Sequence, residues 1–148
     1  MADYRGTINV NKFDNYVILK LSGNFSSVDE PSKDDASKLR DIIKQLVNEG
    51  QRRLILDFRA VSFFASNAMG ALISGHSSVR EERGKIVIFK PLEYIRESFA
   101  ITHIDNVMPI VTDYDSLLDE LYSKKGEEPE MTEKEREDEI EDLKKNLA

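Results

Sequence analysis

Two short runs constrain this chain most. "RRLILDF" (52–58) and "KIVIFK" (85–90) are stretches with a near-continuous apolar centre. That is the composition of strands covered on both faces rather than on one. Between them, Ala68, Met69, Leu72, His76 and Val79 recur at helical spacing over residues 67–83, and Gly84 follows the last turn, where a left-handed cap is wanted. A strand, a helix and a second buried strand make a parallel pair joined by a right-handed crossover.

The rest of the chain extends this unit in both directions. "TINVNK" (7–12) and "YVILKLS" (16–22) read as two strands joined by the short turn "FDN", a hairpin that Gly23 closes. "NFSSVDEPSKDD" (24–35) is turn-rich and charged, a long loop for a compact domain. Leu39, Ile42, Ile43, Leu46 and Val47 then give residues 36–49 a helical stripe, and Gly50 stands at the C-terminal cap position. After the second buried strand, Pro91 suits the first turn of a helix that carries Leu92, Ile95 and Phe99. "MPIV" (108–111) is a short final strand, and Asp113 or Asp115 can cap a helix over Leu117, Leu118 and Leu121. The order β-β-α-β-α-β-α-β-α predicts an α/β fold. It has a mixed, mostly parallel sheet of about five strands with about four helices packed on it.

Residues 1–122 form that domain, and residues 123–148 differ in kind. "SKKGEEPE" reads as a linker, and "MTEKEREDEIEDLKKNLA" has helix formers behind a Thr132–Glu135 capping box. The large apolar residues of the tail are Met131, Ile140, Leu143 and Leu147, a stripe too thin to fold alone. A solvated or fraying helix is expected, with a docking or dimer helix as the alternative. The chain carries a net charge of −7, and the 10 acidic and 6 basic side chains of residues 123–148 account for −4 of it. That leaves −3 for residues 1–122. An acidic surface repels a phosphate backbone, so a nucleic-acid partner is not expected and a protein partner is. No apolar run approaches the about 18 residues of a membrane span. "MADYRGTINV" lacks the basic-then-apolar pattern of a leader, and there is no cysteine for disulfide or thiolate chemistry. A cytosolic setting is expected.

The turn "FFASNAMG" (63–70), where the first buried strand gives way to a helix, collects small and hydroxyl residues. Together with the order of elements, "LILDFRAVSFFASNAMGAL" and "THIDNVMPIVTDYDSLLDEL" resemble the STAS domain of bacterial anti-sigma factor antagonists over about residues 7–122. In that family a D-hydroxyl-S-G-L-G signature opens a helix, and its second hydroxyl residue is phosphorylated by a partner kinase that is also the anti-sigma factor. The resemblance places Asp57 on the strand-end aspartate, Ala65 on the signature aspartate and Ser66 on the first hydroxyl. Asn67 falls on the phosphoacceptor, Ala68 replaces a glycine, Met69 the leucine, and Gly70 keeps the second glycine. Asn67 has no hydroxyl to phosphorylate. A phosphate would add about two negative charges there and asparagine adds none, so on charge Asn67 stands for the unphosphorylated, partner-binding state. Ser66 is read as the N-cap of the helix, accepting from the N–H of Met69; a displaced phosphosite at Ser66 is the alternative.

The resemblance implies a regulatory protein-binding domain, not an enzyme, whose partner is an anti-sigma factor and serine kinase of the ATP-binding GHKL type. The expected contact residues are Ser62, Phe64, Ser66, Asn67 and Met69 with Phe25, Ser26 and Asp29 of the 24–35 loop. The alternative within the same family is a non-switching subunit of a larger assembly, a lipid-transport ABC system or a stress-sensing scaffold. No cofactor is expected, nor a metal, since there are two distant histidines and no cysteine. His76, within the helix after the turn, is expected to be a core or half-buried residue rather than a catalytic base. No glycine-rich phosphate loop is present.

Overall fold

The computed structural model describes residues 6–26, 35–123 and 129–148. Its elements are β1 (Thr7–Lys12), β2 (Val17–Phe25), α1 (Asp35–Asn48), β3 (Arg53–Phe64), α2 (Ser66–Glu81) and β4 (Lys85–Phe89), followed by α3 (Glu93–Ile101), β5 (Ile110–Val111), α4 (Tyr114–Tyr122) and α5 (Glu133–Asn146). A single 3₁₀ turn, Ile104–Asn106, links α3 to β5. The sheet order is β1-β2-β3-β4-β5, with β1 antiparallel to β2 and every later pair parallel. This is the mixed α/β architecture that the two buried runs predict.

Strand alternation divides the interior into two layers. Val17, Leu19 and Leu21 of β2, Leu54 and Leu56 of β3, and Ile86 and Ile88 of β4 face α1, α2 and α3. Ile18, Ile55, Val87 and Phe89 point the other way, into a second cluster with Leu117, Leu118 and Leu121 of α4. Leu143 of α5 and Leu147, the residue that caps its C-terminus, lie fully buried in that second cluster. The tail helix is therefore docked on its own domain, and the expected solvated helix is not what forms. A stripe too thin to hold a helix in water suffices when a bare apolar sheet face is there to receive it.

Other boundaries shift for local reasons. Gly23 does not close β2. It sits within the strand at φ 88°, a left-handed conformation that glycine adopts without steric cost, and pairing with β3 continues to Phe25. β3 does not stop at Phe58. Its pairing with β2 slips between Lys20 and Ser22 and again between Gly23 and Asn24, each time with one extra residue on β3. Each extra residue is a bulge that breaks the two-residue period. Buried Phe58, Val61 and Phe64 are consequently three apart, with exposed pairs between them. Pairing between β3 and β4 ends earlier, at Asp57 opposite Phe89. The left-handed residue after α2 is Arg83 at φ 60° rather than Gly84. α3 starts at Glu93, after Pro91 rather than on it.

Candidate functional site

The end of β3 and the start of α2 build the site. Under the turn lies a pile of four aromatic rings. Phe64 stands 5.9 Å from Phe25, 5.1 Å from Phe58 and 5.7 Å from Phe99, centroid to centroid. The steep ring angles at Phe58 and Phe99, 62° and 86°, are the edge-to-face arrangement that aromatic quadrupoles favour. Above the pile the turn is a single residue. Ala65 is extended, and its N–H donates to the carbonyl of Phe25 at 2.8 Å, tying the turn to the end of β2.

Ala65 is the N-cap of α2, and its carbonyl accepts from the N–H of Met69 at 3.0 Å. This corrects the expectation that Ser66 caps the helix. The helix starts one residue early because Ala65 already has the extended backbone that an N-cap needs. Ser66 becomes the first helical residue, with its side chain exposed. Among the described residues no side chain caps α2, and no acidic residue stands in its first turn, where the helix dipole is positive.

The sequence-predicted residues separate by depth. Ser62, Ser66 and Asn67 are exposed together around the turn. Phe25 and Phe64 are buried, at 0% and 5% exposure, and support the face from beneath. Met69 is also buried, with the Thr102 hydroxyl 3.9 Å from its sulfur. Ser26 is half-buried, and Asp29 lies outside the described residues. Sequence reasoning missed Phe63, 46% exposed beside Ser62 because a bulge turns both outward, and Ile73, 43% exposed on α2. Ser66, Gly70, Ile73 and Ser77 are exposed at spacings of four, three and four, one stripe of the helix. That spacing was the available signal. A Cβ at Gly70 would meet nothing within 4 Å, so the stripe is open at its centre.

Asp57 is elsewhere, on the second sheet face in the body of β3. It is the buried charged residue among those described, at 5% exposure. Arg59 answers it with a fork, Nε to Oδ1 at 2.9 Å and Nη2 to Oδ2 at 2.8 Å. The hydrogen bond that Arg59 donates to Asp57 raises the Arg59 pKa above its ordinary value, and the guanidinium also lies 5.5 Å over the Phe89 ring. His76 is half-buried on the flank of α2. Burial first, and Arg80 second, lower its pKa. Gly75, not His76, takes the inward position over α1. Among the described residues no group of three acidic or histidine side chains is placed to hold a metal. Nor is any helix there long and apolar enough to cross a membrane.

The family model of the STAS domain matches residues 7–117. The chain belongs to the STAS domain family. Its STAS fold is shared with the anti-sigma factor antagonist SpoIIAA of Bacillus in the unphosphorylated form, at a TM-score of 0.61 and 15% identity over 75% of this chain and 93% of that one. A Thermotoga maritima structure described as an anti-sigma factor antagonist superposes with a TM-score of 0.63 and 18% identity, covering 77% of this chain and 93% of that chain. In sequence, BtrV of Bordetella bronchiseptica, also described as an anti-sigma factor antagonist, is 22% identical over 103 residues, 70% of this chain and 84% of BtrV.

Proposed function

We propose that this STAS domain works as an anti-sigma factor antagonist of the constitutive kind, holding a protein partner on the face made by Ser62, Phe63, Ser66, Asn67 and Ile73. The supporting observation is the combination at the turn. The backbone that presents a phosphoacceptor at a helix start is intact, yet the exposed side chain at the acceptor position is Asn67. A partner kinase finds no hydroxyl there, and the face keeps the charge of the unmodified state. The partner that fits is an anti-sigma factor that is itself a serine kinase of the GHKL type, acting in the cytoplasm.

The test uses that cognate kinase with ATP, followed by intact-mass and peptide mass spectrometry. The wild-type chain stays unmodified and bound, whereas Asn67→Ser gains one phosphate at position 67 and dissociates. Stoichiometric phosphate on Ser66 of the wild type overturns the constitutive reading. Co-purification with an ABC-transporter ATPase in place of an anti-sigma factor favours the fixed-subunit role instead.

A further inference from the structure

The two edges of the sheet are unlike. β5 ends it on one side with two residues, Ile110–Val111, too short to template another strand. β1 ends it on the other with six, Thr7–Lys12, about 20 Å of backbone at the rise of a strand. Among the described residues no strand pairs with its outer side. Its register with β2 runs from Thr7–Ser22 to Lys12–Val17 without a shift, and it holds no proline. Proteins blunt an open edge with a bulge, a proline or a charge. Between Thr7 and Asn11 this edge has none of them, and Lys12 stands only at its end.

A groove follows the edge on the α1 side. Ile8 and Val10 are half-buried against the first core layer, and Ile42 and Leu46 of α1 line the groove beside them. Lys38 and Asp41 stand at the Thr7 end. Lys12, paired with Glu49 at 2.8 Å, closes the other end. Thr7, Asn9 and Asn11 alternate onto the opposite face of the sheet, where Thr7 and Asn9 are exposed.

This pattern is self-complementary. Directly opposed residues of an antiparallel pair share a face. A two-fold axis normal to the sheet at Asn9 sets Ile8 opposite Val10 of a second copy, and Val10 opposite its Ile8. On the polar face Thr7 meets Asn11 and Asn9 meets Asn9. Apolar residues thus oppose apolar ones, and polar residues polar ones, along the strand. An axis at Val10 would instead set Ile8 against Lys12. The Asn9 axis also brings the Lys12–Glu49 end of one groove to the Lys38–Asp41 end of the other. Lys12 there faces Asp41 of the second copy, and Glu49 faces its Lys38. Such exposed pairs add little affinity but favour this register over others.

We propose that β1 is a homodimer interface, in which two copies pair edge to edge about an axis at Asn9 and form one continuous sheet. The axis reverses strand direction, so the two α2 turns point to opposite ends and both stay free. The inference does not rest on the proposed function, since β1 lies outside the face made by β3 and α2.

The test exploits the residue that meets itself. Sedimentation velocity of the full chain at about 100 µM, where a micromolar dimer is mostly assembled, gives a dimer. Asn9 is exposed, so Asn9→Lys and Asn9→Asp leave the thermal melting of dilute protein unchanged. Each variant sets two like charges face to face on the axis and weakens association at least about tenfold. Mixed one to one, the two variants regain the dimer, and native mass spectrometry finds the mixed pair in excess over either homodimer. A dimer built on any other surface does not show this rescue. Variants that dimerise as the wild type does overturn the proposal, and so does a mixture that stays monomeric. A wild type that is monomeric at this concentration also overturns it and leaves the edge to an extended segment of another protein.

Discussion

At the scale of single residues, Asp57 and Arg59 carry the largest local electrostatic stake. A carboxylate at 7% side-chain exposure is tolerable only with a partner, and Arg59, 36% exposed, supplies two of its N–H groups, one from Nε and one from Nη2. Arg59→Ala leaves the buried charge unpaired. We expect a loss of about 2–3 kcal/mol in urea denaturation, below the penalty for a wholly buried pair because solvent reaches Arg59. Arg59→Lys recovers only part, since an ammonium cannot reproduce the planar fork. Arg59 was legible in principle, two residues from an aspartate on a strand, but its second role, on the carbonyl of Leu147, depends on residues 88 positions away. That Asn67 carries no hydroxyl is a fact of sequence; that it stands at the acceptor position is what the family resemblance implies. The cap was not legible, because extended backbone at Ala65 comes from its hydrogen bond to Phe25 and not from its side chain.

At the scale of elements, the buried runs declared their strands, yet β3 was read six residues short. Periodicity counts one strand at a time, whereas a bulge belongs to a pair. Only the pairing of β2 with β3 shows that Ser62 and Phe63 share an exposed step. Contact separates the two glycines of α2, Gly70 and Gly75. A Cβ at Gly70 meets open space, while one at Gly75 would lie 3.0 Å from Cδ1 of Ile43 on α1. Gly70→Ala is expected to stabilise the protein by up to about 1 kcal/mol, through helix propensity and a less flexible unfolded chain. Gly75→Val wedges the two helices apart and costs about 1–3 kcal/mol. Thermal melting of the two variants, shifting in opposite directions, checks both.

At the scale of the whole molecule, element order and sheet type followed from the two apolar runs and the helical stripes between them. What covers the second sheet face did not, because a sparse stripe of leucines reads the same whether it meets solvent or a sheet. Acid stability is a property of this scale. His76 is favoured in its neutral form by burial and by Arg80, so its folded pKa lies below the 6.5 of an unfolded chain. Stability from this source is complete above about pH 6.5 and is lost as pH falls from there through the folded pKa, since the unfolded chain binds the proton first. His76→Gln should therefore flatten the fall in melting temperature between about pH 7 and pH 5.

The shape of the sheet has one more consequence. Since β4 accompanies β3 only as far as Asp57, the remainder of β3 runs out to the turn with β2 alone beside it. The turn is the tip of a cantilever of two strands, braced by four rings packed mainly edge to face. Any load that a partner places on the tip is carried down this beam and enters the wider sheet at its root. The root is Asp57, where Arg59 and the last turn of α5 are anchored. The beam's stiffness is set where it is fixed, at Asp57 and Arg59, outside the face proposed for the partner.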